Sequence, residues 1–142
     1  MSMSNFLDAN VWLALLWTAH IHHEKAFRWW QGVPNELLYY SRVTQLTVLR
    51  LLTTTGVMGA DMCSMAGAWK AWDVTAGDAR IVHLAEPEGL EVEFRSLSQL
   101  ATASPKVWAD AYLLAFARAT GSRLVTFDRA LQSRGAEVLV LE

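Results

Sequence analysis

The chain has 142 residues, 53% of them hydrophobic and 18% charged, with a net charge of −2 at neutral pH. That length suits one domain, spanning residues 1–142, with a real core, and the composition excludes a disordered chain. The near-balanced charge also excludes a global positive field, so any affinity for nucleic acid must come from a local basic patch and a bound cation.

The longest apolar stretch, Val11 to Trp17, has seven residues. It is too short to span a bilayer, and Asp8 interrupts a signal-peptide reading of the N-terminus, so no membrane association is expected. The single Cys63 cannot form an internal disulfide, which fits a reducing cytoplasmic location. Seven tryptophans are many for this size, and some are expected on the surface where a partner covers them.

Asn5–Asp8 reads as a short buried strand, followed by an apolar helix over Val11–Trp17. A second helix is expected from about His22 to Gln31, with Ala26, Trp29 and Trp30 at helical spacing. Gly32–Asn35 breaks the chain and Leu37–Tyr40 reads as a strand. A long helix follows from about Val43 to Thr54, with Val43, Leu46, Leu49 and Leu52 along one face, and Gly56 and Gly59 close it. Ser64–Thr75 is expected to be helical, Arg80–Leu84 a strand, and Glu88–Leu100 a weaker helix. Trp108–Thr120 is the clearest helix, with Gly121 as its C′ residue. Arg123–Phe127 reads as a strand, a short helix starts at Asp128, and Val138–Leu141 closes the chain as a strand. Alternating strands and helices imply an α/β fold, a parallel sheet covered on both faces.

Three carboxylates stand at informative places. Asp8 ends the first strand, Asp128 ends the Leu124–Phe127 strand, and Asp110 lies in the first turn of the clearest helix. Ligands of open parallel sheets bind outside the carboxyl ends of the strands, so the three can converge there. Hydrolysis of a phosphodiester needs an activated water and charge stabilisation on the leaving oxygen, both of which Mg²⁺ supplies. Two or three carboxylates make a suitable cage for it. Without a cation, two carboxylates 4 Å apart repel by about 4 kcal/mol at an effective dielectric near 20. Each acid also has a plainer explanation: Asp110 complements a helix N-terminus, Asp128 is an N-cap, Asp8 begins a turn. Together, they point to a metal site.

Phe6-Leu-Asp-Ala-Asn-Val-Trp-Leu-Ala-Leu15 resembles the opening of PIN-domain nucleases. Trp108-Ala-Asp-Ala-Tyr-Leu-Leu-Ala-Phe-Ala117 and Leu124-Val-Thr-Phe-Asp128 resemble their later acidic motifs. Val43-Thr-Gln-Leu-Thr-Val-Leu-Arg-Leu-Leu-Thr53 resembles the middle segment of the VapC branch, the toxins of type II toxin–antitoxin pairs. The resemblance runs through nearly the whole chain in the right order. It implies a three-layer α/β/α sandwich with a central, mainly parallel sheet, Mg²⁺ or Mn²⁺ at the acidic pocket, and endoribonuclease activity. It also implies a homodimer and a cognate antitoxin that blocks the site. By the same resemblance Asp8 and Asp110 are the principal metal ligands, Asp128 is a third acid, and Asn10 and Thr126 orient the carboxylates.

One departure stands out. Many PIN domains carry a glutamate early in the middle helix, where this chain has Gln45, and no carboxylate occurs from Leu37 to Ala60. Gln45 offers a carbonyl oxygen without charge, which implies a weaker cage with one principal metal and more reliance on RNA phosphates. Similar chains of the branch share the glutamine, so it does not imply a dead enzyme.

Other signals weigh less. His20, His22 and His23 have no accompanying cysteine pair and read as a solvated helix start, while His83 reads as structural. Arg42, Arg50 and Arg129 flank the motifs and are candidates for binding RNA phosphates; the plain alternative is a surface ion pair for each. Trp29, Trp30 and Trp69 read as core or antitoxin-facing, and Trp108 is the better candidate for stacking on an RNA base. A phosphate-accepting receiver would want a second acid beside Asp8 and a lysine late in the chain, yet none follows Lys106. The alternative to a ribonuclease is a PIN-fold module that binds RNA or protein with weakened catalysis.

Overall fold

The computed structural model describes residues 3–132, 134 and 136–142. Its first strand, β1 (Ser4–Leu7), runs into α1 (Ala9–Leu16), and α2 (His23–Gly32) leads to β2 (Leu37–Tyr40). After α3 (Arg42–Leu52) come the short α4 (Thr55–Met58), a 3₁₀ turn at Gly59–Asp61, and α5 (Met65–Ala76). The remainder is β3 (Ile81–His83), α6 (Leu90–Ser98), α7 (Val107–Thr120), β4 (Arg123–Thr126), a 3₁₀ turn at Arg129–Leu131, and β5 (Val138–Val140). The strands form one parallel sheet in the order β3-β2-β1-β4-β5. The α/β/α expectation holds.

Alternation along the central strands sorts the core into two layers. Phe6 and Leu124 face one way and pack with Leu90 of α6 and Leu114, Ala115 and Phe116 of α7. Leu7 and Val125 face the other way, against Val11 and Trp12 of α1, Val48 and Leu52 of α3, and Trp72 of α5. This period of two is what a strand buried on both faces requires. Only β1 and β4 are buried almost throughout; β2, β3 and β5 keep partly open positions nearer the sheet margins. Trp12 fixes the α1 layer, tilted against Trp72 at 5.7 Å and edge-on to Tyr40 at 6.2 Å and Trp30 at 6.4 Å. Its indole N–H is buried without a partner among the described residues.

Helix ends follow local chemistry. Ser41 and Ser64 cap α3 and α5 by accepting from the amides of Thr44 and Gly67. Gly121, at φ 65°, ends α7 while the Ser122 amide reaches back to the Ala117 carbonyl at 2.9 Å. Away from the site, Arg80 pairs with Asp78 at 2.9 Å, donates to the carbonyls of Trp30 and Val33, and lies 4.4 Å from the Trp30 ring.

Two expectations need correction. The face of α3 that meets the core is Thr44, Gln45, Val48 and Leu52, whereas Val43 and Leu46 are 48% and 66% exposed. The predicted stripe of Val43, Leu46, Leu49 and Leu52 follows a spacing of three, which drifts around a helix of 3.6 residues per turn. Val43 and Leu46 instead join Met65 and Trp69 in an open apolar groove of about 510 Å³ between α3 and α5. The segment around Gly56 and Gly59, read as a simple close, contains α4 and the turn that follows it.

Candidate functional site

The sheet order puts a switch point at β1, whose neighbours β2 and β4 lead away in opposite directions. Crevices open at such points beyond the carboxyl ends of the strands. Asp8 directly follows β1 and its amide donates to the Val125 carbonyl of β4 at 2.9 Å. Asp128 lies two residues past β4, and α7 brings Asp110 in its first turn. All three line one cleft of about 430 Å³, with Thr44 and Thr47 from α3 and Trp108 and Tyr112 from α7.

The plain readings of the acids separate here. Asp8 is the N-cap residue of α1, yet it makes no capping side-chain bond. Its Oδ2 instead accepts the Thr126 hydroxyl at 2.9 Å, and Thr126 Oγ1 accepts the Asp128 amide at 3.1 Å. One buried hydroxyl thus ties two acids' positions together. Asp128 does cap the turn that follows, with Oδ1 accepting the Ala130 amide at 2.9 Å. Asp110 has no capping bond to make, since Lys106 holds the N-cap position of α7.

Electrostatics agree with a site short of positive charge. Burial pushes the Asp8 carboxyl up, the Thr126 hydroxyl and the amides of Ala9 and Asn10 pull it part-way back, and Asp110 adds to the rise. Asp110 is also pushed up, by burial first and then by Asp128, with Arg134 opposing. Asp8 thus feels Asp110, and Asp110 feels Asp128. Among the described residues no three His, Cys, Asp or Glu side chains stand as a preformed metal cage, so the three-acid cage is not ready-made. The donors still suit Mg²⁺. They are hard oxygens, two carboxylates suffice for an ion that keeps several waters, and a cation offsets the burial and the neighbouring negative charge that raise Asp8 and Asp110.

The other predicted residues divide. Asn10 lines the cleft, and fully buried Thr126 holds Asp8. Gln45 does not line it: its Oε1 accepts from Arg42 on the buried side of α3, and the helix offers Thr44 and Thr47 to the cleft instead. None of Arg42, Arg50 and Arg129 lines the acid clefts. Arg50 belongs to the apolar groove, and Arg129 pairs with Glu142 at 2.9 Å in the open. Trp108 is 60% exposed at the rim, and Trp69 is half-exposed in the apolar groove. Trp30 packs with Trp12 and Trp29 sits partly buried against the same core.

Sequence reasoning missed two things. Arg134 is the basic residue whose charge reaches Asp110, and only its place shortly after Asp128 hinted at this. His20 and His22, read as a solvated helix start, line a second cleft of about 370 Å³ with Asp8, Asn10, Thr126 and Asp128. They lie in the connection between α1 and α2, stacked against Phe127. His22 is also the N-cap residue of α2, its carbonyl accepting the Ala26 amide at 3.0 Å, and His23 Nδ1 lies 2.7 Å from the Ala14 carbonyl oxygen.

Comparison with known proteins agrees with this geometry. The PIN domain family model matches residues 6–137. Ribonuclease VapC41 of Mycobacterium tuberculosis is 42% identical over 134 residues, covering 90% of this chain and 91% of that protein. Ribonuclease VapC39 of the same organism is 30% identical over 148 residues, covering 97% and 98%. The crystal structure of VapBC2 from Rickettsia felis bound to a promoter DNA fragment superposes with a TM-score of 0.72 at 10% identity, covering 99% of this chain and 100% of that one. Acids gathered at a β1 switch point, a family match over almost the full length and relatives this similar leave one conclusion: the chain belongs to the PIN-domain family, in its VapC ribonuclease branch.

Proposed function

We propose that this protein is a Mg²⁺- or Mn²⁺-dependent endoribonuclease and the toxin of a type II toxin–antitoxin pair, with a cognate antitoxin and a homodimeric state as for its branch. The carrying observation is Asp8: its carboxylate is fixed by the buried Thr126 hydroxyl in a cleft shared with Asp110 and Asp128, and burial and then Asp110 push it up. Such an arrangement costs stability without a cation and is explained by one. The relatives named ribonucleases, and neighbours that are VapBC complexes, support the same reading.

Asp8 and Asp110 would hold the ion, with Asp128 as a third acid at the rim. When bound, the ion supplies an activated water and neutralises charge on the phosphate and leaving oxygen. The chain's own part is positioning. Thr126 sets the rotamer of Asp8 by donating to Oδ2, and the turn at Asp128 fixes that residue through its own cap. Asn10 stands between the acids and solvent as a neutral hydrogen-bonding group. With no carboxylate from α3, Thr44 and Thr47 leave the cleft open to RNA phosphate oxygens as further ligands. Arg134 offers the nearby positive charge for the strand.

The test compares cleavage of single-stranded RNA by the antitoxin-free protein with that by Asp8→Asn and Asp110→Asn in Mg²⁺ and Mn²⁺. Cleavage by the wild type and its loss in both variants is expected. Equal cutting by all three would place the activity elsewhere, and none by the wild type in either metal would end the ribonuclease reading.

A further inference from the structure

The second cleft has no residue of α7 and no lysine or arginine in its wall. Its polar floor is Asp8, Asn10, Thr126 and Asp128, and its wall is a cluster of three rings. His22 lies on Phe127 with ring centroids 4.7 Å apart and planes at 37°. His20 is 6.3 Å from Phe127 at 21°, and Trp17 closes on its far side, edge-on at 5.7 Å. The assembly is braced: the Trp17 indole N–H donates to Asp61 at 2.8 Å, and the His22 amide donates to Nδ1 of His20 at 2.9 Å. That second bond puts the proton of His20 on Nε2 and fixes its ring. Burial, helped by His22 and His23, holds the His20 imidazole below its ordinary range.

Ring clusters ordinarily belong to cores. This one is half-buried and faces the carboxylates. Among the described residues the ring wall offers a phosphate no lysine or arginine, so the phosphate's partner is the cation proposed at the shared acids. A flat, neutral group with a π face does have a place against the rings, and in a nucleic acid that group is the base. The two clefts share Asp8, Asn10 and Asp128. A strand whose phosphate lies at the shared acids therefore passes from the Trp108 and Tyr112 side to the His20, His22 and Phe127 side.

We propose that His20, His22 and Phe127 form a stacking platform for the nucleobase beside the phosphate held at the carboxylates. The proposal rests on the ribonuclease reading above for the identity of its ligand. A base can reach the platform only when it is unpaired, since a duplex keeps its bases inside the stack. These are positioning residues and take no part in bond breaking.

The probe is a labelled oligouridine of eight nucleotides, whole, carrying one abasic residue at each position in turn, or paired with oligoadenosine. Affinity is measured in Ca²⁺ and steady-state cleavage in Mg²⁺. His22→Ala is expected to weaken binding of the intact single strand by about 5- to 150-fold, the range for losing one stacked base. Its KM should rise with kcat largely kept. His22→Phe, which keeps a ring without a titrating group, should bind as the wild type does. At least one abasic strand should bind wild type and His22→Ala equally. Equal affinity of wild type and His22→Ala for the intact strand, or equal binding of duplex and single strand, would overturn the platform. Binding that responds to His22→Ala without cleavage in Mg²⁺ would overturn the hydrolysis reading and leave the platform standing. Cleavage with unchanged KM in His22→Ala would do the reverse.

Discussion

Replacing Thr126 with valine changes one hydroxyl to a methyl at a fully buried position. The shape is kept, and two hydrogen bonds are lost: the donation to Asp8 Oδ2 at 2.9 Å and the acceptance from the Asp128 amide at 3.1 Å. A bond to an ionised group contributes about 1.5–3 kcal/mol. The Asp128 amide adds less, because its residue is exposed and water can take over. Burying a methyl offsets part of the loss, so the net cost is on the order of 1–2 kcal/mol when Asp8 is ionised. The pH dependence identifies the cause. Removing the hydroxyl raises the Asp8 carboxyl further above its unfolded value. A raised carboxyl stabilises below the unfolded pKa, and that stabilisation is lost as pH rises through the folded pKa. The gap between wild type and Thr126→Val should therefore be small in acid and widen toward neutrality. Thr126→Ser keeps the hydroxyl and loses a methyl, at about 1 kcal/mol independent of pH. Urea unfolding in EDTA across a pH series reads both, and calorimetric titration with Mn²⁺ should show about 10- to 100-fold weaker binding for valine alone. If valine and serine have parallel pH profiles and equal Mn²⁺ affinity, Thr126 does not act through Asp8.

Asp110→Asn should leave the metal-free melting temperature unchanged or slightly raised at neutral pH, because it relieves burial of a charge and a solvent-screened repulsion from Asp128. It should also abolish most of the stabilisation that Mg²⁺ gives the wild type; a destabilised variant in differential scanning fluorimetry would contradict the repulsion. Trp12→Phe removes a buried donor that has no partner among the described residues, so urea unfolding should show a cost below about 2 kcal/mol, under the usual 3 or more for losing a large core ring. Tyr112 is pushed up to about 12 by burial and by its hydroxyl donating to Glu86 at 2.9 Å. One tyrosine should therefore ionise late in an absorbance titration, and Glu86→Gln should bring it down. Its contribution to stability, present below its unfolded value near 10, should fade as pH rises toward 12.

Much of the molecule was legible because its signals are local. Strand alternation at Phe6 and Leu7, the Ser and Gly punctuation of the helices, and acids interrupting apolar runs all act within a few residues. Asp8 and Asp128 stood out because they follow apolar strands within two residues, and Asp110 because its helix is unambiguous; the structure brings all three to one cleft. What stayed hidden depends on rotation and on distant contact. Gln45 and Thr44 are both buried on the core-meeting side of α3, yet the turn of about 100° between them leaves only the threonine lining the cleft. His20 and His22 reach the acids only because an irregular connection folds onto Phe127, more than 100 residues away in sequence. The arginines near the motifs in sequence proved not to line the acid clefts, and Arg134, outside every motif, was the one whose charge reaches an acid.

The acids are hung from parts of the fold that open at different rates. Asp8 directly follows β1 and Thr126 ends β4, the two most buried strands, whose amides should exchange with solvent only on global unfolding. Asp110 sits in the opening turn of α7, whose buried anchors begin at Ala111 and Leu114 while Trp108 and Ala109 face solvent. That turn can fray without disturbing the sheet. An ion shared by Asp8 and Asp110 would stitch the frayed turn to the immobile one, so hydrogen exchange at residues 107–110 should slow on adding Mg²⁺ while β1 stays unchanged.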